Sequence, residues 1–185
     1  MSQATDQINF DQLAEQILSQ DGVLPDYAIP FAIYQNRLES NNYSSNVFMT
    51  NNNLNGYEYV SGDTLQSGPG IARPASEGGY YANFPTVENS LHEQSAWWQR
   101  RIDDDGFDIT TLTSVPNFAN ALATFQWYTS SPAAYIARMY AVAPLVSLQS
   151  SGINTQGVSL TTLSIGTLAL IAGGVYLVYR YNRRA

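Results

Sequence analysis

The sequence predicts an α+β fold: a mostly helical domain with a small β-lobe, followed by one C-terminal transmembrane helix. Three observations carry that expectation. Apolar residues recur at helical spacing on both sides of residues 41–83, that stretch itself is rich in Asn, Ser, Gly and Tyr without a sustained period, and residues 158–179 are uncharged and largely apolar.

Along the chain, Phe10, Leu13, Ala14, Ile17 and Leu18 repeat at i, i+3, i+4, i+7 and i+8, which predicts an amphipathic helix stopping near Asp21-Gly22. Residues 26–40 read as a second helix, with Asp26 as N-cap candidate and Pro30 in the first turn, where a missing N–H costs nothing. The insert reads as loops plus a short hairpin, with GYEYVSGD (56–63) as one arm. Helical pattern resumes at Thr86 and runs to Arg101 through the Trp97-Trp98 pair, and DDDGFD then forms a polar break. Two further helices, about 116–128 and 132–147, each open on a proline, which suits a first helical turn. No internal repeat is evident.

The last stretch predicts a linker at 148–157, a membrane-spanning helix at 158–179 and a basic tail at 180–185. At 1.5 Å per residue the apolar run reaches about 30 Å, the thickness of a hydrocarbon core. Tyr176, Tyr179 and Tyr181 supply interfacial aromatics, and Arg180, Arg183 and Arg184 mark the side that stays in. The polar N-terminus has no signal-peptide pattern. A single-pass protein is expected, its N-terminal domain outside, its tail inside, and a lipid bilayer as partner.

Composition narrows the function. The formal net charge is -7, all fifteen acids lie at or before Asp108, and there is no lysine. So acidic a domain lacks the clustered cations that a phosphate backbone requires, which argues against nucleic-acid binding. With no cysteine and one histidine, thiolate chemistry and Cys- or His-rich metal sites are excluded, and no G-x-S-x-G motif accompanies His92, which reads as a helix-surface residue. DDDGFD departs from the calcium-loop pattern and reads as solvated. No metal and no cofactor are expected.

The carboxylates remain. Glycosidic cleavage commonly uses two acids, one kept protonated by its surroundings. Glu39 ends the second predicted helix, where the negative end of the helix dipole and partial burial favour the protonated form, and it directly precedes the insert. Sugar sites also need flat aromatic faces and amide groups. The insert offers Tyr57, Tyr80, Tyr81 and Asn53 as substrate-binding candidates. On these grounds alone Glu39 reads as a solvated helix end sooner than as a catalyst, Glu58 as the outward residue of a strand, and Glu77 as a loop charge.

Four stretches together resemble the bacterial glucosaminidase family (glycoside hydrolase family 73). AIYQNRLES resembles its AQAxLES motif, with Gln35, Leu38, Glu39 and Ser40 on the matching positions. YSSNVFMTNNNLNGY is similar to the turn leading into NNLFGI, GGYYANFPTVENSLHEQSAWW to the aromatic block that opens a helix with a Ser or Thr cap, and NFANALATFQWYTSSPAAYIARM to the closing pattern. The resemblance covers roughly 24–143. Asn41-Asn42 stand where the family has Gly-Trp, and Phe84-Pro85 alters the spacing of the aromatic block.

The resemblance implies a lysozyme-like domain over 1–147 that cleaves the β-1,4 glycan backbone of peptidoglycan, as an endo-β-N-acetylglucosaminidase or a muramidase-like enzyme. It implies Glu39 as general acid and Glu77 as second carboxylate, with Glu58 as the alternative. Assistance by the substrate's own N-acetyl group is the single-acid variant of that chemistry. Tyr80 or Tyr81 would match an aromatic cleft residue. A lytic domain on a terminal membrane helix is similar to the wall-penetrating enzymes of membrane-containing bacteriophages, which implies other virion proteins as partners and a virion inner membrane as location, with the bacterial envelope as the alternative. A non-catalytic virion or wall-binding module of the same fold is the competing class.

Overall fold

A computed structural model describes residues 3–143, with side chains from residue 7 onward. The described chain is mostly helical with one two-stranded antiparallel sheet: α1 (Gln3–Asp21), α2 (Ile29–Glu39), α3 (Asn46–Asn51), β1 (Gly68–Ala72), β2 (Tyr80–Asn83), α4 (Val87–Asp105), α5 (Val115–Thr124) and α6 (Pro132–Val142). The α+β expectation for the domain agrees with this arrangement.

The membrane part of that expectation is corrected. Among the described residues no helix is long and apolar enough to cross a membrane. The two 19-residue helices, α1 and α4, have the length but carry charge along it, Asp11, Glu15 and Asp21 on one and Glu88, Glu93, Arg100 and Arg101 on the other. A bare charge near a bilayer centre costs about 3 kcal/mol or more, which rules them out as spans. The transmembrane helix and the outside-in localisation, in a virion membrane or a bacterial envelope, therefore have no support. The segments on which they rested, 148–157, 158–179 and 180–185, lie outside the described residues.

Local chemistry explains most boundaries. Ser131, Ser114 and Thr86 cap α6, α5 and α4 by accepting the backbone N–H of Ala134, Asn117 and Asn89. Gly106, at φ 65°, ends α4 in the left-handed region that glycine enters without a Cβ penalty. The second helix differs from expectation at its start. Asp26–Ala28 form a 3-10 turn without a side-chain cap, and the α-helix begins at Ile29 with Pro30 in its first turn.

The insert differs more. α3 stands where the sequence predicts a loop; it is six residues long, too short to display a period, and forms because Ser45 caps Phe48 N at 3.2 Å. The hairpin arms are β1 and β2, paired Gly68 with Asn83, Pro69 with Ala82 and Ala72 with Tyr80. The expected arm GYEYVSGD joins only by an isolated bridge from Glu58 to Tyr81. At Gly70 a Cβ would lie 2.1 Å from Asn51 Nδ2, so that glycine lets β1 lie directly against α3.

One core holds the helices together. Leu18, Ala32, Leu91, Trp98, Leu112, Phe118, Leu122 and Met139 are almost wholly removed from water. α2 contacts both α1 and α6, α1 contacts α4, and α5 contacts α6. A smaller apolar cluster, Tyr57, Ala82 and Phe84, anchors the insert and meets Trp97 and Trp127.

Candidate active site

Glu39 is the last residue of α2, and the chain beyond it turns sharply. Ser40 Oγ donates to Asn36 O at 2.6 Å and accepts from Tyr43 N at 2.9 Å, while Asn41, Asn42 and Tyr43 all adopt positive φ (51°, 53° and 62°). Asn tolerates that region better than most residues. Tyr43 does not, and its ring is held by Phe10 and Phe48 and its hydroxyl by Asp11 at 2.7 Å. Asp11 also takes Arg37 Nε at 3.0 Å, so a partly buried ion pair ties α1 to the last turn of α2.

The Glu39 side chain is partly buried and faces α6. Tyr135 donates its hydroxyl to Glu39 Oε1 at 2.5 Å, and the Trp127 indole also interacts with the carboxylate. Tyr135 is itself buried, stacked on Tyr128 at 3.8 Å between centroids and 4° between planes. Tyr128 is fixed by its bond to Ala119 O at 2.8 Å. Arg138 covers the Tyr135 ring at 5.4 Å and donates to Ser130 Oγ at 2.8 Å. Trp127 follows Gln126, whose φ of 56° turns the chain back after α5, and its ring meets Trp97 at 5.0 Å and Tyr57 at 5.4 Å edge to face.

Burial raises the Glu39 pKa above the ordinary carboxylate value, although the Tyr135 and Trp127 hydrogen bonds and the Arg138 charge pull the other way. Desolvation wins. Its proton is therefore held to higher pH than that of a solvated acid, while donors stand ready for the carboxylate once the proton leaves. That pairing suits a general acid, and it separates Glu39 from a plain solvated helix end.

Glu58 and Glu77 sit elsewhere. Both pair with Arg73, at 2.9 Å each, and both side chains are about half exposed. Arg73 also lies over the Tyr81 ring at 5.8 Å, so the three charges clasp the turn between β1 and β2. Tyr80 is exposed. Asn53 is buried and bound to main chain throughout: its amide donates to Tyr57 O at 2.8 Å and Ala82 O at 3.0 Å, and its oxygen accepts from Tyr57 N at 2.9 Å. It positions Tyr57. Tyr57 is buried too, its pKa driven well up by burial and by the Glu93 charge, with a smaller contribution from Glu39. Its phenol thus lies within electrostatic reach of both carboxylates.

Sequence reasoning did not single out Tyr135, Trp127, Arg138 or Glu93. The signal available was the density of aromatics in FQWYTSSPAAYIARM, and an acid, Glu93, three residues beyond Ser90 on the buried side of α4. A buried polar layer lies in the same region: Asn55 Nδ2 donates to Asn36 Oδ1 at 2.8 Å, and Gln94 Nε2 to Gln35 Oε1 at 3.0 Å. His92 faces Asp21 at 3.0 Å, linking α4 to α1. Among the described residues no group of three or more His, Cys, Asp or Glu is placed to hold a metal ion. Compared with family models, with curated proteins and with solved structures, the chain finds no match.

Proposed function

We propose that the protein is a glycoside hydrolase that cleaves the β-1,4 glycan backbone of peptidoglycan, with Glu39 as the proton donor. The observation that supports this most is the environment of Glu39: a carboxyl whose pKa burial raises, held at 2.5 Å by a tyrosine hydroxyl that is itself locked in an aromatic stack. In the ground state the protonated acid faces the glycosidic oxygen. As the bond breaks, the proton moves to the leaving oxygen and the carboxylate that forms is stabilised by Tyr135, Trp127 and Arg138. That stabilisation is stronger in the transition state than before it, which is the condition for catalysis. The resemblance of AIYQNRLES to the glucosaminidase motif supports the same residue.

Digestion of purified sacculi by the full chain, with mass spectrometry of the released sugars, tests this. Wild type should release glycan fragments and Glu39→Gln should lose about 10²- to 10⁴-fold in rate, the usual contribution of a general acid. Equal binding to sacculi by both proteins, without release by either, would instead assign the fold to a non-catalytic wall-binding module.

A further inference from the structure

Gln94, Ser95 and Trp98 share one side of α4. Gln94 and Trp98 stand four residues apart and Ser95 and Trp98 three, the spacings that make neighbours on a helix surface. All three are buried, at 1%, 4% and 0% exposure. Each carries a polar atom, cut off from solvent, that meets no hydrogen-bond partner among the described residues: Gln94 Oε1, Ser95 Oγ and Trp98 Nε1. A serine inside a helix commonly returns its hydroxyl to the carbonyl one turn back, and a buried indole N–H usually finds an acceptor. Here neither does.

The three groups are complementary. An indole N–H only donates, an amide carbonyl only accepts, and a serine hydroxyl does either. Unpaired and buried, each is costly. We infer that Gln94, Ser95 and Trp98 bind one ordered internal water, which accepts from Trp98 Nε1 and donates to Gln94 Oε1 and Ser95 Oγ. That makes about three hydrogen bonds, the usual number for a buried water. The water fixes the Gln94 side chain, whose amide in turn holds Gln35, one turn before Glu39 on α2. It takes no part in the sugar chemistry proposed above, and its binding does not depend on that reading.

The surroundings hold these groups in place. Gln94 Nε2 donates to Gln35 Oε1 at 3.0 Å. Turning both amides over would reverse that bond and present an N–H where the Gln94 carbonyl stands, so a polar atom that water can serve remains in either arrangement. The Trp98 ring is packed by Phe107 at 5.8 Å, Phe118 at 5.2 Å and Trp97 at 4.9 Å between centroids, which keeps its edge from turning to solvent. One turn before Gln94, Ser90 Oγ is already engaged, accepting Leu54 N at 3.0 Å. α4 thus meets the insert at Ser90 and α2 at Gln94 through direct polar contacts, and the unpaired set lies on the turn beyond.

The test is water-selective NOE and ROE spectroscopy on the intact, isotope-labelled chain, read at the indole N–H proton of Trp98. A water that tumbles with the protein should give that proton a cross-peak in both spectra, opposite in sign, and the proton should resonate at the low field of a hydrogen-bonded donor. Ser95→Ala removes the one neighbouring hydroxyl whose exchangeable proton imitates water in such spectra. The Trp98 cross-peak should survive it, because two partners still suffice to hold a buried water. Absence of the cross-peak in wild type overturns the inference, and this spectrum decides even where the variant fails to fold. A low-field proton without a cross-peak would mean that Trp98 bonds Gln94 or Ser95 directly, and a high-field one that it stays unpaired in a dry core. Loss of the cross-peak in folded Ser95→Ala also overturns the inference, by assigning the signal to the serine hydroxyl.

Discussion

Replacing Tyr135 by Phe removes a single hydroxyl and keeps the ring. That hydroxyl donates to Glu39 Oε1 at 2.5 Å, and the ring stacks on Tyr128 at 3.8 Å, which phenylalanine preserves. A hydrogen bond to a charged group contributes about 1.5–3 kcal/mol. The bond matters most when Glu39 has given up its proton, so the loss falls on the transition state. At about 1.4 kcal/mol per tenfold, kcat should drop roughly 10- to 150-fold. The pH profile should move as well. Tyr135 favours the ionised carboxylate, so its removal raises the Glu39 pKa further, and the limb where activity falls with rising pH shifts to higher pH. The assay is the initial rate of sacculus digestion from pH 4 to 9, at saturating substrate, with a thermal melt beside it. In Glu39→Gln the same tyrosine substitution should cost little more, since the two residues act as a unit. An unchanged kcat and an unmoved profile would show that the Glu39–Tyr135 bond is only a tether between α2 and α6, and the argument for Glu39 as acid would fail.

Other expectations are simpler. A carboxyl with a raised folded pKa stabilises the fold below its ordinary value of 4.5 and loses that contribution as pH rises through the folded value; wild type should therefore lose more stability than Glu39→Gln over that window, measured by urea titration at several pH values. Asp11→Ala strands the guanidinium of Arg37 and the hydroxyl of Tyr43, both bound to Asp11, and should cost about 3–5 kcal/mol in the same titration. Gly70→Ala drives a Cβ to 2.1 Å from Asn51 Nδ2, so the buried Asn51 side chain must shift from between α3 and β1, and amide exchange should quicken in residues 46–51 and 68–72 ahead of the helical core.

Helix positions were legible because their signals are local. Pro132 after Ser131 and Thr86 before α4 announce their helices, and the spacing of Phe10 through Leu18 announces α1. The insert was not, because its order comes from contacts distant in sequence. Asn53 bonded to Ala82 O, Leu54 N to Ser90 Oγ and Asn51 against Gly70 fix its path, and none has a periodic trace. At the site, Glu39 was legible as an acid at a helix end beside an aromatic tract. Its partners were hidden for the same reason, since Tyr135 lies 96 residues away. Glu58 and Glu77 stood out through their position in that tract, but the side chain that claims both is Arg73, which only the folded turn brings to them.

Cleavage of sacculi in water enriched in ¹⁸O tests the central claim most directly. Wild-type digestion should place one ¹⁸O at the anomeric carbon of each new reducing end, and Glu39→Gln should yield almost none. Fragments without the label, or equal labelling by both proteins, would contradict a hydrolysis that depends on the Glu39 proton.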